Sequence, residues 1–307
     1  MTIIENNIMR IEKLNLDFLG IKQKVFIYRD DLFPYYYGGN KARKILFEKE
    51  QIINAGSGAV VTTGGIQSNH CRVTALLCAE LGIECHLVLH GNEQDFHLQA
   101  GNASLMKSVN VFTYFVEGSQ IGPAMDSLMM ALKKKGKSPY YLYGGGHTEH
   151  GFLAYVKATE ELLDTQVFFQ NNIKSIYLAS GTGSTQAGII QGIQNKKNNI
   201  SVKGISIARE YTRGVEAIKE SLFFTNDLEK VEAMKINLND QYLCGGYGKS
   251  NQELQDFLQQ LIMKTGILFD KTYSGKAFYG MMQELKKSNN KGNVLFWHTG
   301  GQFNYLV

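Results

Sequence analysis

Two flexible glycines stand just ahead of a single lysine in Gly38-Gly39-Asn40-Lys41-Ala42-Arg43-Lys44. Glycine adopts backbone conformations closed to other residues and lets a ligand approach closely, so this pair suits a lysine that must reach into a cleft from the first turn of a helix. Lys41 is, on this reading, the covalent attachment point of a cofactor. The same residues also fit a plain loop before a solvated Lys/Arg helix face. What separates the two readings is the company that Lys41 keeps further along the chain.

Ser180-Gly181-Thr182-Gly183-Ser184-Thr185-Gln186-Ala187-Gly188 lies between a strand pattern and a helical one. Small residues there leave N–H groups and hydroxyls free to point at an anion, and the helix N-terminus adds roughly half a positive charge. This reads as a phosphate cup. It is neither a dinucleotide fingerprint, because Gln186 stands at the third glycine, nor a P-loop. Gly64-Gly65-Ile66-Gln67-Ser68-Asn69-His70 also ends a strand and opens a helix, where its polar groups either hold a carboxylate or cap the helix. His70 fits an ordinary helix-start residue as well as it fits chemistry.

Tyr273-Ser274-Gly275-Lys276 and His298-Thr299-Gly300-Gly301 each follow an apolar stretch, at the sheet edge where ligand-facing loops gather. Tyr247, between Gly246 and Gly248, joins them as a mobile stacking surface or as a core tyrosine. His147-Thr148-Glu149-His150 has no third ligand cluster at suitable spacing, so no metal is expected.

The elements that must position these groups alternate. Strand patterns at 24–28, 59–63, 84–89, 111–116, 140–143, 173–179, 202–208 and 294–297 are separated by helical periodicities. The helices read as 42–55, a stretch ending at 81, 96–108, 122–135, 152–163, one from 185, 251–264 and 276–287. This rhythm predicts an α/β fold of mostly parallel sheets flanked by helices, with right-handed crossovers. Gly144-Gly145-Gly146 reads as a hinge or crossing point between two such units. The expected division is a small domain, 50–146, inserted into a large one, 1–49 and 147–307.

A length of 307 residues, 44% hydrophobic and 20% charged, suits a globular protein of roughly two domains. Net charge is +4 and the longest basic run is Lys133-Lys134-Lys135, which gives no footprint for nucleic acid or a membrane surface. Residues 1–7 lack a basic segment leading into an apolar one, and no apolar stretch approaches the ~18 residues of a membrane span, so a cytoplasmic location is expected. Cys71, Cys78, Cys85 and Cys244 form no C-x-x-C pair and read as reduced thiols.

Taken in order, Gly38 to Lys41, Gly65 to His70, Ser180 to Gly188, Tyr273 to Ala277 and His298 to Gly301 resemble the pyridoxal-phosphate enzymes of the D-cysteine desulfhydrase and 1-aminocyclopropane-1-carboxylate (ACC) deaminase family. The likeness spans roughly residues 25 to 301. It implies a two-domain fold type II enzyme, similar to the tryptophan synthase β chain, with pyridoxal 5'-phosphate in the cleft between domains.

By that resemblance Lys41 binds the cofactor covalently, Asn69 bonds its phenolic oxygen, and Gly181, Thr182, Gly183, Ser184 and Thr185 hold its phosphate. Ser68 with neighbouring N–H groups, Asn69, His70 and Tyr247 face the substrate and its carboxylate. Tyr273, with Ser274 beside it, stacks on the pyridine ring, and Thr299 meets the ring nitrogen. Lys41, Ser68, Tyr247 and Tyr273 are the implied catalytic set. A homodimer acting on a small amino acid is usual among similar enzymes.

The branch that cleaves ACC is typified by a glutamate after the stacked tyrosine and a leucine in the final His-x-Gly-Gly. Here Ser274 and Thr299 stand there, as in the desulfhydrase branch. The expected reaction is α,β-elimination from a D-cysteine-like amino acid, yielding a 2-oxo acid, ammonia and sulfide. ACC deamination, racemisation and β-replacement are the alternatives, as is a non-catalytic cofactor-binding protein. Tyr28, Lys249, Lys271 and the aromatic run Phe33 to Tyr37 depart from the family pattern and bear on the substrate more than on the cofactor.

Overall fold

The computed structural model of the protein describes residues 11–288 and 292–307. The N-terminal stretch 1–10, which includes the residues read for a leader, lies outside them. The first half of the chain runs β1 (Ile11–Lys13), β2 (Val25–Tyr28), α1 (Asn40–Asn54), β3 (Ala59–Gly65), α2 (Asn69–Leu81), β4 (Glu84–His90), α3 (Glu93–Leu98), α4 (Gly101–Lys107), β5 (Val111–Phe115), α5 (Ile121–Lys134) and β6 (Pro139–Tyr141). The second half runs α6 (Glu149–Leu163), α7 (Gln166–Gln170), β7 (Ile173–Ser180), α8 (Ser184–Asn195), β8 (Ser201–Ser206), α9 (Tyr211–Leu222), α10 (Leu228–Ala233), β9 (Asn237–Asn239), α11 (Gln252–Thr265), α12 (Ser274–Lys287) and β10 (Asn293–Trp297).

The strands form a six-stranded sheet in the order β1-β2-β10-β7-β8-β9 and a four-stranded sheet in the order β5-β4-β3-β6. All pairings are parallel except β1 with β2. Both sheets are therefore of the mixed α/β, mostly parallel kind that alternating strand and helix patterns demand.

Alternation along β10 shows how the larger sheet is covered on both faces. Val294 and Phe296 join a core with Phe278 and Met281 of α12, whereas Leu295 and Trp297 join Tyr155 and Leu162 of α6. α6 and α8 then pack with almost nothing between them. A Cβ on Gly188 would lie 2.5 Å from the Tyr155 Cβ and 2.6 Å from the Phe152 carbonyl oxygen. That approach places the N-terminus of α8, which carries the glycine-rich cup, against the loop that precedes α6.

The single helix expected over 96–108 is two, broken at Gln99-Ala100. Gly101 has φ +67, and a Cβ there would stand 2.6 Å from the Phe303 carbonyl oxygen, so a tertiary contact rather than periodicity sets the break. The structure also places α9, α10 and β9 in the stretch 209–250, where the pattern assigned no element. Among the described residues no helix is long and apolar enough to cross a membrane. The four cysteines are unbridged, with Cys71, Cys78 and Cys85 buried.

Candidate active site

The carboxyl edges of the two sheets open onto one cavity of about 430 Å³, an ordinary size for a small-ligand site. Lys41 reaches it from the first turn of α1. Gly38 and Gly39, at φ +78 and +87, let the chain pass under two backbone neighbours on its way there. A Cβ on Gly38 would lie 1.9 Å from the Asp31 carbonyl oxygen, and one on Gly39 would lie 3.0 Å from that of Thr299. The loop is pinned by Gly39 N–H donating to Asp30 O and Asn40 N–H donating to Thr299 O, both 2.9 Å.

The Lys41 Nζ donates to the Gly145 carbonyl at 2.7 Å. Burial pushes its ammonium down to about 8, with no carboxylate to offset the lost water. The neutral fraction of Lys41 is therefore expected to climb as pH rises through about 8. Competitive labelling with a small acylating reagent, read by peptide mapping of the cofactor-free protein, checks this. Labelling that keeps rising towards the ordinary lysine value of about 10.4 contradicts it.

On one side the strand β3 ends in Gly64-Gly65, and Ser68 caps α2, its Oγ accepting from Cys71 N–H at 3.2 Å. Ser68 thus caps the helix and lines the cavity as well. Asn69 lines it too. His70 is at the wall, but its Nε2 sits 2.9 Å from the Thr62 hydroxyl. Because the Thr62 hydroxyl also donates to Leu142 O, it is the imidazole N–H that donates to Thr62. Burial, with Lys41 and Lys44 nearby, pushes His70 down to about 3, so it is neutral at any physiological pH.

Opposite lies the cup. The helix α8 starts after Gly183, at φ +95, with no side chain capping it. Its first internal bond is Ala187 N–H to Gly183 O, which leaves the N–H groups of Ser184, Thr185 and Gln186 without partners in the helix. Gly181, Thr182, Gly183 and Thr185 line the cavity. Ser184 does not: its hydroxyl turns away to accept from Lys44 Nζ at 2.6 Å. Its backbone N–H remains for an anion. Lys44, fully buried behind the cup, adds an amine whose charged form burial disfavours, where the sequence pattern also allowed a solvated face.

Tyr273 and Tyr247 close the cavity with their hydroxyls 2.5 Å apart, and burial pushes both upward. The loop that carries Tyr247 is unusual: Cys244, Gly245, Gly246 and Gly248 have φ of 49, 93, 106 and 71. Lys276 Nζ, from the fully buried Lys276, holds it through the Gly246 carbonyl at 2.5 Å.

Tyr273 is fixed from below by Asp270, whose carboxylate accepts from the N–H groups of Thr272, Tyr273 and Ser274 at 2.8–2.9 Å. Ser274 is a correction to the expected cofactor set. It is fully buried, lies off the cavity wall, and its Oγ donates to Asp270 at 2.7 Å, so it supports Tyr273 rather than facing a ligand. Thr299 does line the cavity.

Arg209 and His90 also line the cavity. Arg209 follows β8 and donates to the Gly181 carbonyl, while its backbone is clasped by Ser206. The rule that ligand loops follow strand ends points to both residues, although neither carries a glycine signature. His147 and His150 face different partners, Glu220 and Glu48, and no group of three metal ligands gathers among the described residues.

Pyridoxal phosphate fits this arrangement. Free N–H groups at a helix N-terminus and a desolvated lysine line the same cavity, and no aspartate or glutamate among the described residues lines it.

Comparison with known proteins agrees. The family model for pyridoxal-phosphate dependent enzymes matches residues 3–300. The crystal structure of an ACC deaminase homologue superposes with a TM-score of 0.86 at 30% identity, covering 97% of this chain and 90% of that one. A hydrogen sulfide-producing enzyme from Fusobacterium nucleatum shares the fold at TM-score 0.68 and 16% identity, covering 98% and 97%. Cysteine synthase from Entamoeba histolytica does so at 0.66 and 14%, covering 97% and 86%. With its match running almost from end to end, this chain belongs to the pyridoxal-phosphate dependent enzymes of fold type II.

Proposed function

We propose that the protein is a lyase that removes a β-leaving group from a D-amino acid of the D-cysteine kind, giving a 2-oxo acid, ammonia and sulfide. The observation that carries this reading is the pairing of a desolvated Lys41 amine with the Tyr247–Tyr273 hydroxyl pair across a cavity free of carboxylates among the described residues. When bound, pyridoxal phosphate supplies the electron sink that makes the Cα–H bond acidic.

The chain's own groups do the rest. The deprotonated form of Lys41 Nζ, made more accessible by burial and held near Gly145, takes the Cα proton. Ser68 and the start of α2 receive the substrate carboxylate, and Asn69 meets the cofactor's phenolic oxygen. The N–H groups of Gly181 to Thr185 hold the phosphate, Tyr273 covers the ring, and Thr299 offers its neutral hydroxyl to the ring nitrogen. Tyr247, at the wall beside Tyr273, is assigned to the sulfur that leaves as thiolate. The released three-carbon enamine takes up water to give pyruvate and ammonia. By analogy with similar enzymes the reading extends to a homodimer in the cytoplasm.

ACC deamination is the second reading, favoured by the 30% identity to an ACC deaminase homologue. Purified protein is tested with D- and L-cysteine, β-chloro-D-alanine, D-serine and ACC, scored for 2-oxo acid. Turnover of D-cysteine above ACC is expected, and no turnover of any β-substituted amino acid removes the first reading. Thr299→Leu is expected to move the ratio towards ACC. Ser274→Glu cannot test the same choice, because it would set a second carboxylate against the buried Asp270.

A further inference from the structure

We propose that Asn102, in α4 and away from the cavity wall, is a positioning residue that fixes which end of the Asn69 side-chain amide faces the ligand. Asn102 is fully buried. Its Nδ2 lies 3.0 Å from the Gln67 carbonyl, 3.0 Å from Asn69 Oδ1 and 2.5 Å from Asn304 Oδ1. Its Oδ1 is buried with no hydrogen-bond partner.

The two ends of an asparagine amide are nearly alike in shape, so only the partners decide the orientation. The Gln67 partner decides it here. A backbone carbonyl only accepts, so the atom of Asn102 that faces it must be the NH2. That same nitrogen faces Asn69, which therefore turns its oxygen towards Asn102.

The NH2 of Asn69 is left for the cavity. It can donate to an anionic oxygen there and cannot present a lone pair.

The anchor is itself held. Gln67 Nε2 donates to Gln99 Oε1 and Ala100 O at 3.0 Å, and its Oε1 accepts from Ala103 N–H at 3.3 Å. Asn304 Oδ1, in the C-terminal turn Gln302–Leu306, lies against the same nitrogen, whose two hydrogens are shared among the three oxygens. A row of amides thus runs from that turn through α4 to the start of α2, with its direction set at one carbonyl. The inference rests on the assignment of Asn69 to the cofactor's phenolic oxygen, and the test keeps the two apart.

Four proteins are compared: the unaltered chain, Asn102→Asp, Asn69→Ala and the double variant. The readouts are the dissociation constant for pyridoxal phosphate and the pH midpoint of its visible absorption band. Asn102→Asp keeps the shape and replaces the donor by acceptors, so Asn69 must reverse to donate to it. The dissociation constant is expected to rise about tenfold or more, the loss of one hydrogen bond to a charged group, and the midpoint to move.

In the Asn69→Ala background the same change is expected to add no more than about twofold. An equal effect with and without Asn69 overturns the proposal, as does no effect in the unaltered chain. Asn69→Ala leaving both readouts unchanged overturns the Asn69 assignment itself, and the proposal with it. Should Asn102→Asp not fold, Asn102→Ser, which shortens the donor, is taken through the same cycle.

Discussion

Replacing Lys41 by alanine is expected to lower turnover of β-substituted amino acids by about 10²–10⁴-fold, the contribution of a positioned general base, while leaving the fold intact. The amine makes one bond, to the Gly145 carbonyl, and its charge is held in a place that disfavours it. Its folded-state value lies below that of a free lysine, so at neutral pH the protonated form weighs against the folded state. Removing it should therefore leave the thermal midpoint unchanged or raise it. Borohydride reduction of cofactor-saturated protein, followed by peptide mapping, should mark Lys41 in the unaltered chain and nothing at that position in the variant. A variant that keeps its activity, or a label found on another lysine, would end the proposed mechanism.

Replacing Asp30 by alanine is expected to cost about 3–5 kcal/mol of stability, because it strands a buried guanidinium. The Asp30 carboxylate is fully buried and accepts from Arg43 Nε at 3.0 Å and Nη2 at 2.7 Å. Trp297 Nε1 donates to its other oxygen at 3.1 Å, as does the Tyr155 hydroxyl. One carboxylate therefore joins β10, α6 and α1. Urea unfolding monitored by Trp297 fluorescence measures the loss. Asp30→Asn, which keeps the shape and one acceptor, is expected to lose less, and equal losses would mean that the missing charge accounts for the whole cost and the retained shape for none of it.

The loss should also reach the site, since Arg43 lies two positions after Lys41 on α1 and Asp30 O holds the Gly39 N–H. Cofactor affinity in Asp30→Asn is the measure of that.

Much of this was legible in the chain, for an identifiable reason. In a parallel sheet the carboxyl ends of the strands lie along one edge, so the Ser180 loop after β7 and His298 to Gly301 after β10 share the edge of the larger sheet, and Gly64-Gly65 at the end of β3 holds the matching edge of the smaller one. Backbone-driven features were therefore readable. Side-chain direction was not. Ser184 and Ser274 have the right chemistry at the right place in the sequence, but Lys44 and Asp270 draw their hydroxyls away. Asn102 lies 33 positions after its partner Asn69, and nothing in the spacing foretells their contact. The break at Gly101 likewise answers to Phe303, at the opposite end of the chain.

Cys244 is the one cysteine that is not buried, three positions before Tyr247 on the loop that Lys276 pins. A thiol-reactive fluorophore should therefore attach there first, at mildly alkaline pH because partial burial pushes that thiol upward. The molecule thus offers a ready-made place for an optical reporter three positions from a residue of the cavity wall, through which substrate binding can be timed without engineering a new attachment point.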